Sequence, residues 1–417
     1  MPGTHRGGAP MKVVLVNKFF FIKGGAETVY FQQRDGLRRA GIQVIDFAMQ
    51  HPRNAPSAYA ADFVSHVDYH RRAGAAQALK TAWRFIHNGE ACRRLQALLL
   101  RERPDIVHFH NIYHQLTPAL IGVAQRCGCK TVLTAHDYKI VCPAYSCLRD
   151  GRPCEACLTG TVWNAFRYRC QQGSAAKSLL LTLEALWQTL ARDYHKLDMI
   201  VSPSRFLRDL IQRRLPQIPI AVIPNGIDDS PPFAAGQDQG YFLFVGRLSS
   251  GKGVATLAQA HATMARPLPL KIVGDGPLFD TLASRFPTAH FLGYRQQGAP
   301  LDTLIRGARA IVVPSEGYEN CSMAVLEAMA QGKPVIGAHI GGIPEQIRDG
   351  AEGLLFPPGD ARALSAALTR LADDPALARR LGEHGRRRLC RHFSLHQHIQ
   401  ALLARYQRLL SGQHHEE

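Results

Sequence analysis

A chain of 417 residues is too long for one ordinary core, so two domains are the starting expectation. Its 46% hydrophobic and 20% charged content is that of a globular chain, and no apolar run reaches the length of about 18 that a membrane span needs. The net charge of +17 is uneven: residues 1–215 hold 30 Lys+Arg against 15 Asp+Glu, and residues 216–417 hold 20 against 18. A basic half beside a near-neutral half suits an anionic partner such as a membrane surface, a lipid pyrophosphate or a nucleic acid. No nucleic-acid motif accompanies the charge, so an anionic membrane or a lipid-linked acceptor is the expected partner, and no nucleic acid. The opening MPGTHRGGAP lacks the apolar stretch of a secretory signal. The expected location is therefore cytoplasmic, peripheral on the inner face of the plasma membrane, with the fold starting near Met11.

Lys12–Val16 is an apolar, β-branched run and reads as a buried strand. Gly24 and Gly25 follow it and open a helix over about 26–40, with the next strand at Ile42–Phe47. Glycines at a helix N-terminus let a ligand approach the backbone closely, or simply make a tight turn. A full GxGxxG is absent, which argues against a nicotinamide site. Residues 84–103 suggest one helix with a basic face. A strand over 105–109 carries His108 and His110, with His114 close behind. Their alternation fits polar lining of a cleft better than a metal site. Thr131–Thr134 is another strand, and AHDY places His136 at its carboxyl end, where α/β folds bind ligands. Asp137 is positioned to orient or polarise it.

Cys142, Cys147, Cys154, Cys157 and Cys170 fall close together, and Cys154–Cys157 is a Cys-x2-Cys knuckle. Cys142, Cys154, Cys157 and Cys170 are the candidate ligands of a structural zinc, with Cys147 as substitute. Free thiols, a redox pair and iron–sulfur ligation are the alternatives. Residues 174–196 read as a long helix with an apolar stripe, suited to a membrane or acceptor face or to ordinary packing. The Pro-, Gly- and Asp-rich segment 225–240 reads as a linker between an N-terminal domain, 11–224, and a C-terminal domain, 241–417.

The second half restarts the alternation of strand and helix, so a second parallel sheet is expected. Its first loop, GRLSSGKG, carries Arg247 and Lys252, two cations suited to a diphosphate. The order GxxxxGK[ST] of a P-loop is absent. Gly274 and Gly276 are expected to shape the neighbouring pocket. The strand Ala310–Val313 leads to PSEGYENCSMAVLEAMAQGKP, in which Glu319 precedes a helix and Glu327 sits in its second turn. Asn320 or Ser322 can cap that helix. Eight residues at 1.5 Å rise separate the two carboxylates by ~12 Å along the axis, against the ~5 Å of a retaining glycosidase pair. Such a pair grips an elongated ligand, and the helix N-terminus between them attracts an anion.

The E-x7-E stretch, with GGIPEQI, GLLFPPGD, VIPNGID, AHDY and the Gly24-Gly25 loop, closely resembles glycosyltransferase family 4 over nearly the whole chain. The resemblance implies a GT-B architecture: two doubly wound, Rossmann-like α/β domains facing a cleft, with the last helix crossing back to the first domain. It implies transfer of a sugar, with retained configuration, from a nucleotide-diphosphate sugar to a glycan or lipid-linked acceptor in bacterial cell-envelope polysaccharide synthesis. His136 and Glu319 become the candidate catalytic residues. Gly24, Gly25, Arg247, Lys252, Gly274, Asn320, Cys321, Ser322 and Glu327 become the candidate donor-binding residues. Glu327 would take the ribose hydroxyls, and backbone N–H groups of 320–322 the diphosphate. No Asp-x-Asp occurs in the sequence, so no catalytic cofactor or metal is expected, and Arg247 and Lys252 would supply the charge. Two other readings compete: a nucleotide-sugar epimerase of the same architecture and a non-catalytic nucleotide-sugar-binding protein. The full set of polar candidates argues against the second.

Overall fold

A computed structural model of the chain describes residues 4–5, 9–66, 75–229, 238–295 and 298–412. Part of the expected linker, 230–237, lies outside the described residues. The N-terminal domain contains strands β1 (Lys12–Val16), β2 (Gln43–Phe47), β3 (Ile106–Phe109), β4 (Lys130–Thr134), β5 (Met199–Ser202) and β6 (Ile220–Val222). All are parallel, in the order β2-β1-β3-β4-β5-β6, with Val13 opposite both Val44 and Ile106. Runs such as KVVLV and IVHF are buried on both faces, which is why they read as unbroken apolar stretches.

The longer intervening helices are α1 (Gly25–Arg39), α2 (Ala75–Ile86), α3 (Gly89–Glu102), α4 (Ala119–Arg126), α5 (Ala175–Ala191) and α6 (Arg205–Arg214). The single helix expected over 84–103 is two. Asn88 breaks it, its side chain accepting from the Ala91 N–H at 3.2 Å and so capping α3.

The C-terminal domain has its own parallel sheet. Its strands are β7 (Phe242–Val245), β8 (Leu270–Val273), β9 (His290–Phe291), β10 (Ala310–Val313), β11 (Val335–Ala338) and β12 (Gly353–Phe356), in the order β9-β8-β7-β10-β11-β12. Phe242 pairs with Leu270 on one side and Ala310 on the other. Helices α7 (Val254–Ala262), α8 (Phe279–Arg285), α9 (Ala299–Gly307), α10 (Met323–Ala330), α11 (Ile343–Gln346), α12 (Ala361–Asp373) and α13 (Pro375–His392) cover it. The last helix, α14 (Leu395–Ser411), packs Leu395, Ile399, Leu402 and Tyr406 into the core of the N-terminal domain beside Met11, Leu15 and Tyr30.

Each sheet reverses its strand order once, between β1 and β3 and between β7 and β10. Crevices at the carboxyl ends of strands on either side of such a reversal are where open α/β sheets bind ligands. Loops from the two reversals line one cleft between the domains.

Candidate active site

The cleft encloses about 560 Å³. Gly25, His136 and Tyr138 line it from the first domain; Arg247, Lys252, Glu319 and Glu327 line it from the second. Asn320, Cys321 and Ser322 complete that wall. Two candidates lie elsewhere. Gly24 is the residue before α1, and the lining begins one residue on, at Gly25. Gly274 stands behind the Arg247 loop with φ +144, where an added Cβ would lie 1.8 Å from the Gly246 carbonyl oxygen. With no Cβ there, the two loops can stack.

The sequence places Lys252 and Glu319 sixty-seven residues apart, and the fold joins them. Lys252 Nζ lies 2.5 Å from Glu319 Oε1, and the Ser315 hydroxyl donates to the same oxygen at 2.6 Å. Glu319 is thus held by two donors on the cleft floor. Arg247 is exposed at the rim.

Helix α10 opens toward the same floor. Ser322 occupies the capping position without a side-chain capping bond. Its N–H is not available to a diphosphate as expected, because it donates to Gln346 Oε1 at 2.8 Å, and Gln346 returns a bond to the Ser322 carbonyl at 3.0 Å. Met323 and Ala324, the first residues of the helix, line the cleft, and N–H groups at a helix start have no partner within the helix. Asn320 does not cap either. Its amide spans the domains, donating to the Ala135 carbonyl at 3.1 Å and accepting from the Ser204 hydroxyl at 2.7 Å.

Other bonds close the same end of the cleft. Glu345 accepts from the Arg205 and Phe206 N–H groups, both at 2.8 Å, and so caps α6 from the opposite domain. Tyr318 donates to Glu155 at 3.0 Å. Sequence reasoning missed Glu345 and Gln346, although GGIPEQI was the signal that contained them. It also gave no role to Gly342, whose N–H donates to the Glu319 carbonyl at 2.7 Å and supports the loop that carries this carboxylate.

On the first domain, His136 is half-buried in the cleft wall, and burial pulls its pKa down to about 4, with His398 adding to the effect. Its partner is not Asp137 as expected but His110, whose Nδ1 lies 2.8 Å from His136 Nε2. Asp137 is engaged by the Tyr113 hydroxyl and by the Lys139 N–H. Burial raises the Asp137 carboxyl above its ordinary range, and those bonds and nearby Lys18 oppose it. His108 and His110 are buried beneath the cleft instead of lining it, because α14 covers them: Tyr406 OH lies 2.5 Å from His108 Nδ1. His114 stacks on Phe85 at 4.1 Å. Below them, Lys139 pairs with Glu184 at 2.7 Å in full burial.

The cysteine segment forms a hairpin, Leu148–Arg149 with Arg152–Pro153, flanked by Cys147 and Cys154, whose backbones bond at 2.8 Å. Leu148 reaches across the cleft to Gly251 and Gly317. All ten cysteines are free thiols. Among the described residues, no three His, Cys, Asp or Glu side chains stand in metal-holding geometry, Cys142, Cys154, Cys157 and Cys170 included.

Two family models match the chain: Glycosyltransferase Family 4 over residues 23–230 and Glycosyl transferases group 1 over residues 239–374. The protein is a family 4, group 1 glycosyltransferase. Among curated relatives, the glycogen synthase of Mycobacterium tuberculosis (strain H37Rv) is 35% identical over 187 residues, covering 42% of this chain and 45% of that protein. This glycosyltransferase spans about half the length of the curated relatives it matches. Among solved structures, the sucrose-phosphate synthase of Thermosynechococcus elongatus superposes with a TM-score of 0.71 at 19% identity, covering 97% of this chain and all of that one. Anabaena HepE in complex with UDP-glucose superposes at 0.64 and 17%, covering 97% and 100% of the two chains. The architecture is therefore GT-B: two Rossmann-like α/β domains with parallel sheets.

Proposed function

We propose that this glycosyltransferase moves a sugar, with retention of configuration and without a divalent metal, from a nucleotide-diphosphate sugar to a glycan or lipid-linked acceptor in cell-envelope polysaccharide synthesis. The observation that carries the reading is the joining of Lys252, Glu319 and the α10 N-terminus on one cleft floor, with Arg247 at its rim. The UDP-glucose in complex with HepE is the kind of donor such a floor suits. Arg247, Lys252 and the Met323 and Ala324 N–H groups meet the diphosphate. Charge grows on that group as the glycosidic bond breaks, and fixed donors there speed the step. Glu327 takes the ribose hydroxyls, and Glu319 and His136 the sugar. No side chain is assigned here as a covalent nucleophile, so attack on the face the diphosphate leaves is the favoured route to retention.

A lipid-linked acceptor is supported by the basic first half and by an exposed apolar face on α2 and α5. Trp83 meets Trp187 edge-on at 5.3 Å, and Leu183 and Leu190 stand exposed beside them. Lys177 and Arg192 at the ends of α5 add positive charge. Among the described residues no helix is long and apolar enough to cross a membrane.

The test uses water as a minimal acceptor. Donor hydrolysis followed by proton NMR in EDTA is expected to release first the sugar anomer that the donor carried. Release of the opposite anomer, or loss of turnover on chelation, would overturn retention or metal independence respectively.

A further inference from the structure

Behind His136 runs a continuous chain of buried polar side chains that the transfer reaction does not itself require. His136 Nε2 meets His110 Nδ1 at 2.8 Å. The Gln33 amide nitrogen lies 3.5 Å from His110 Nε2 and 3.1 Å from His108 Nδ1. The Gln33 amide oxygen lies 3.4 Å from His398 Nε2, and His398 Nδ1 meets the Pro224 carbonyl at 2.8 Å. His398 belongs to α14, and Pro224 is the residue just before the interdomain linker. The chain therefore joins the cleft to the foot of the linker.

We propose that the Pro224 carbonyl decides, through His398, Gln33 and His110, which ring nitrogen of His136 carries its proton, so that Gln33, His110 and His398 are positioning residues for the cleft histidine. The proposal rests on His136 serving the transfer site.

Burial keeps the rings neutral: His108 and His110 are pushed well below the ordinary histidine range, and His398 is lowered too. A neutral imidazole has one donor and one acceptor nitrogen. The Pro224 carbonyl only accepts, so His398 Nδ1 holds the proton and Nε2 accepts. Facing the Gln33 oxygen, that Nε2 would set acceptor against acceptor. The two ends of an amide are alike in shape and are assigned by their partners. Turned over, Gln33 donates to His398, and its oxygen faces His108 and His110. Both rings then donate to it. His108 shares its Nδ1 proton with the Tyr406 oxygen, and its Nε2 accepts from the Thr134 hydroxyl at 2.7 Å. His110, protonated on Nε2, must accept at Nδ1. His136 must therefore donate from Nε2, which leaves its Nδ1 a bare acceptor suited to a sugar hydroxyl. From the Pro224 carbonyl to His136 each contact then pairs a donor with an acceptor.

The linker end is held firmly. Ile227 N–H donates to the Phe393 carbonyl at 3.0 Å, and Leu395 N–H donates to the Ile227 carbonyl at 2.8 Å. A Cβ on Gly226 would stand 2.7 Å from His398 Cβ, so linker and helix are in backbone contact there. Loss of the Pro224–His398 bond removes the reason for Gln33 to keep its orientation.

The test is a ring-nitrogen NMR spectrum of the full chain labelled with 15N-histidine at neutral pH, with His136 assigned from its loss in His136→Gln. The expected spectrum has His136 protonated on Nε2 and His398 on Nδ1. A proton on His136 Nδ1 overturns the proposal. His398→Phe frees the Gln33 amide, and His136 is then expected to show both tautomers, with kcat reduced about tenfold to a hundredfold at unchanged donor KM. An unmoved His136 tautomer in a folded His398→Phe protein also overturns it. If that variant does not fold, Gln33→Glu, whose carboxylate accepts from His108 and His110 as the turned amide does and draws a second proton onto His398 Nε2, is expected to keep His136 protonated on Nε2; a switch to Nδ1 contradicts the relay. These spectra read the relay whether or not sugar is transferred. The expected tautomers in a protein inert toward every donor support the relay and sink the transferase reading alone.

Discussion

Lys252→Ala is expected to lower kcat by about a hundredfold to a thousandfold, in the range lost when one fixed donor to a developing anion is removed. The Lys252 ammonium sits 2.5 Å from Glu319 Oε1, and its side chain is 40% exposed. A ligand can therefore reach it without unfolding anything. In the proposed reaction an entering diphosphate would share the ammonium, with the attraction strengthening as the leaving group gathers charge. Alanine removes that donor and leaves the Glu319 carboxylate, still bonded to Ser315, facing an anion without its counter-charge. Arginine is a poor substitute, because a planar fork does not replace a compact ammonium in a space shaped by a 2.5 Å contact. Glu319→Gln tests the other partner: it releases Lys252, so donor affinity is expected to hold while kcat falls. Steady-state kinetics of transfer, or of slow donor hydrolysis, read both. An unchanged kcat in Lys252→Ala would remove this lysine from the mechanism.

Acid is expected to unfold the protein well above the pH at which its carboxylates protonate. Five histidines, His108, His110, His114, His136 and His398, are held below the ordinary value by burial. His114 and His136 reach about 4. In the unfolded chain each titrates near 6.5. Between about 6.5 and 4 the unfolded state therefore binds protons that the folded state refuses. Stability falls as pH drops through that window, by up to roughly 1.4 kcal/mol per pH unit for each group. A few such groups acting together rival the 5–15 kcal/mol or so that holds a typical domain folded. Glu184 acts in the same direction lower down: burial alone would raise it, but Lys139 and His114 hold it to about 2, so its contribution is lost as pH falls from about 4.5 toward 2. Urea midpoints at pH 7.5, 6.5 and 5.5 measure the slope. A flat profile from 7.5 to 5.5 would mean that the histidines are not buried neutral.

The fold was legible because its strands are short β-branched runs separated by helix-length amphipathic stretches, and the parallel sheets follow from that alternation. KVVLV and AIVV needed no further information. The stretch from Glu319 to Glu327 was legible for the same reason: strand, loop and helix are contiguous, and both carboxylates fall in the cleft wall. What could not be read is whatever joins distant segments. His110 meets His136 from 26 residues away, Asn320 reaches Ala135 across 185, and Glu345 caps a helix 140 residues before it. A polar side chain near a loop suggests a local cap, and it takes the packed structure to show that Asn320 and Glu345 serve the opposite domain. What stands against Gly274 was hidden for a related reason. A glycine beside a pocket looks like a ligand contact, while its neighbour here is the carbonyl of another loop.

The central claim is that the floor formed by Lys252, Glu319 and α10 receives a nucleotide-diphosphate sugar. Calorimetric titration with UDP-, GDP-, ADP- and TDP-sugars in the presence of EDTA tests it most directly, with Lys252→Ala and Glu327→Ala alongside. Saturable binding of one donor, weakened in both variants, is the predicted result. Absence of binding by all four, or an affinity that neither variant changes, would contradict it.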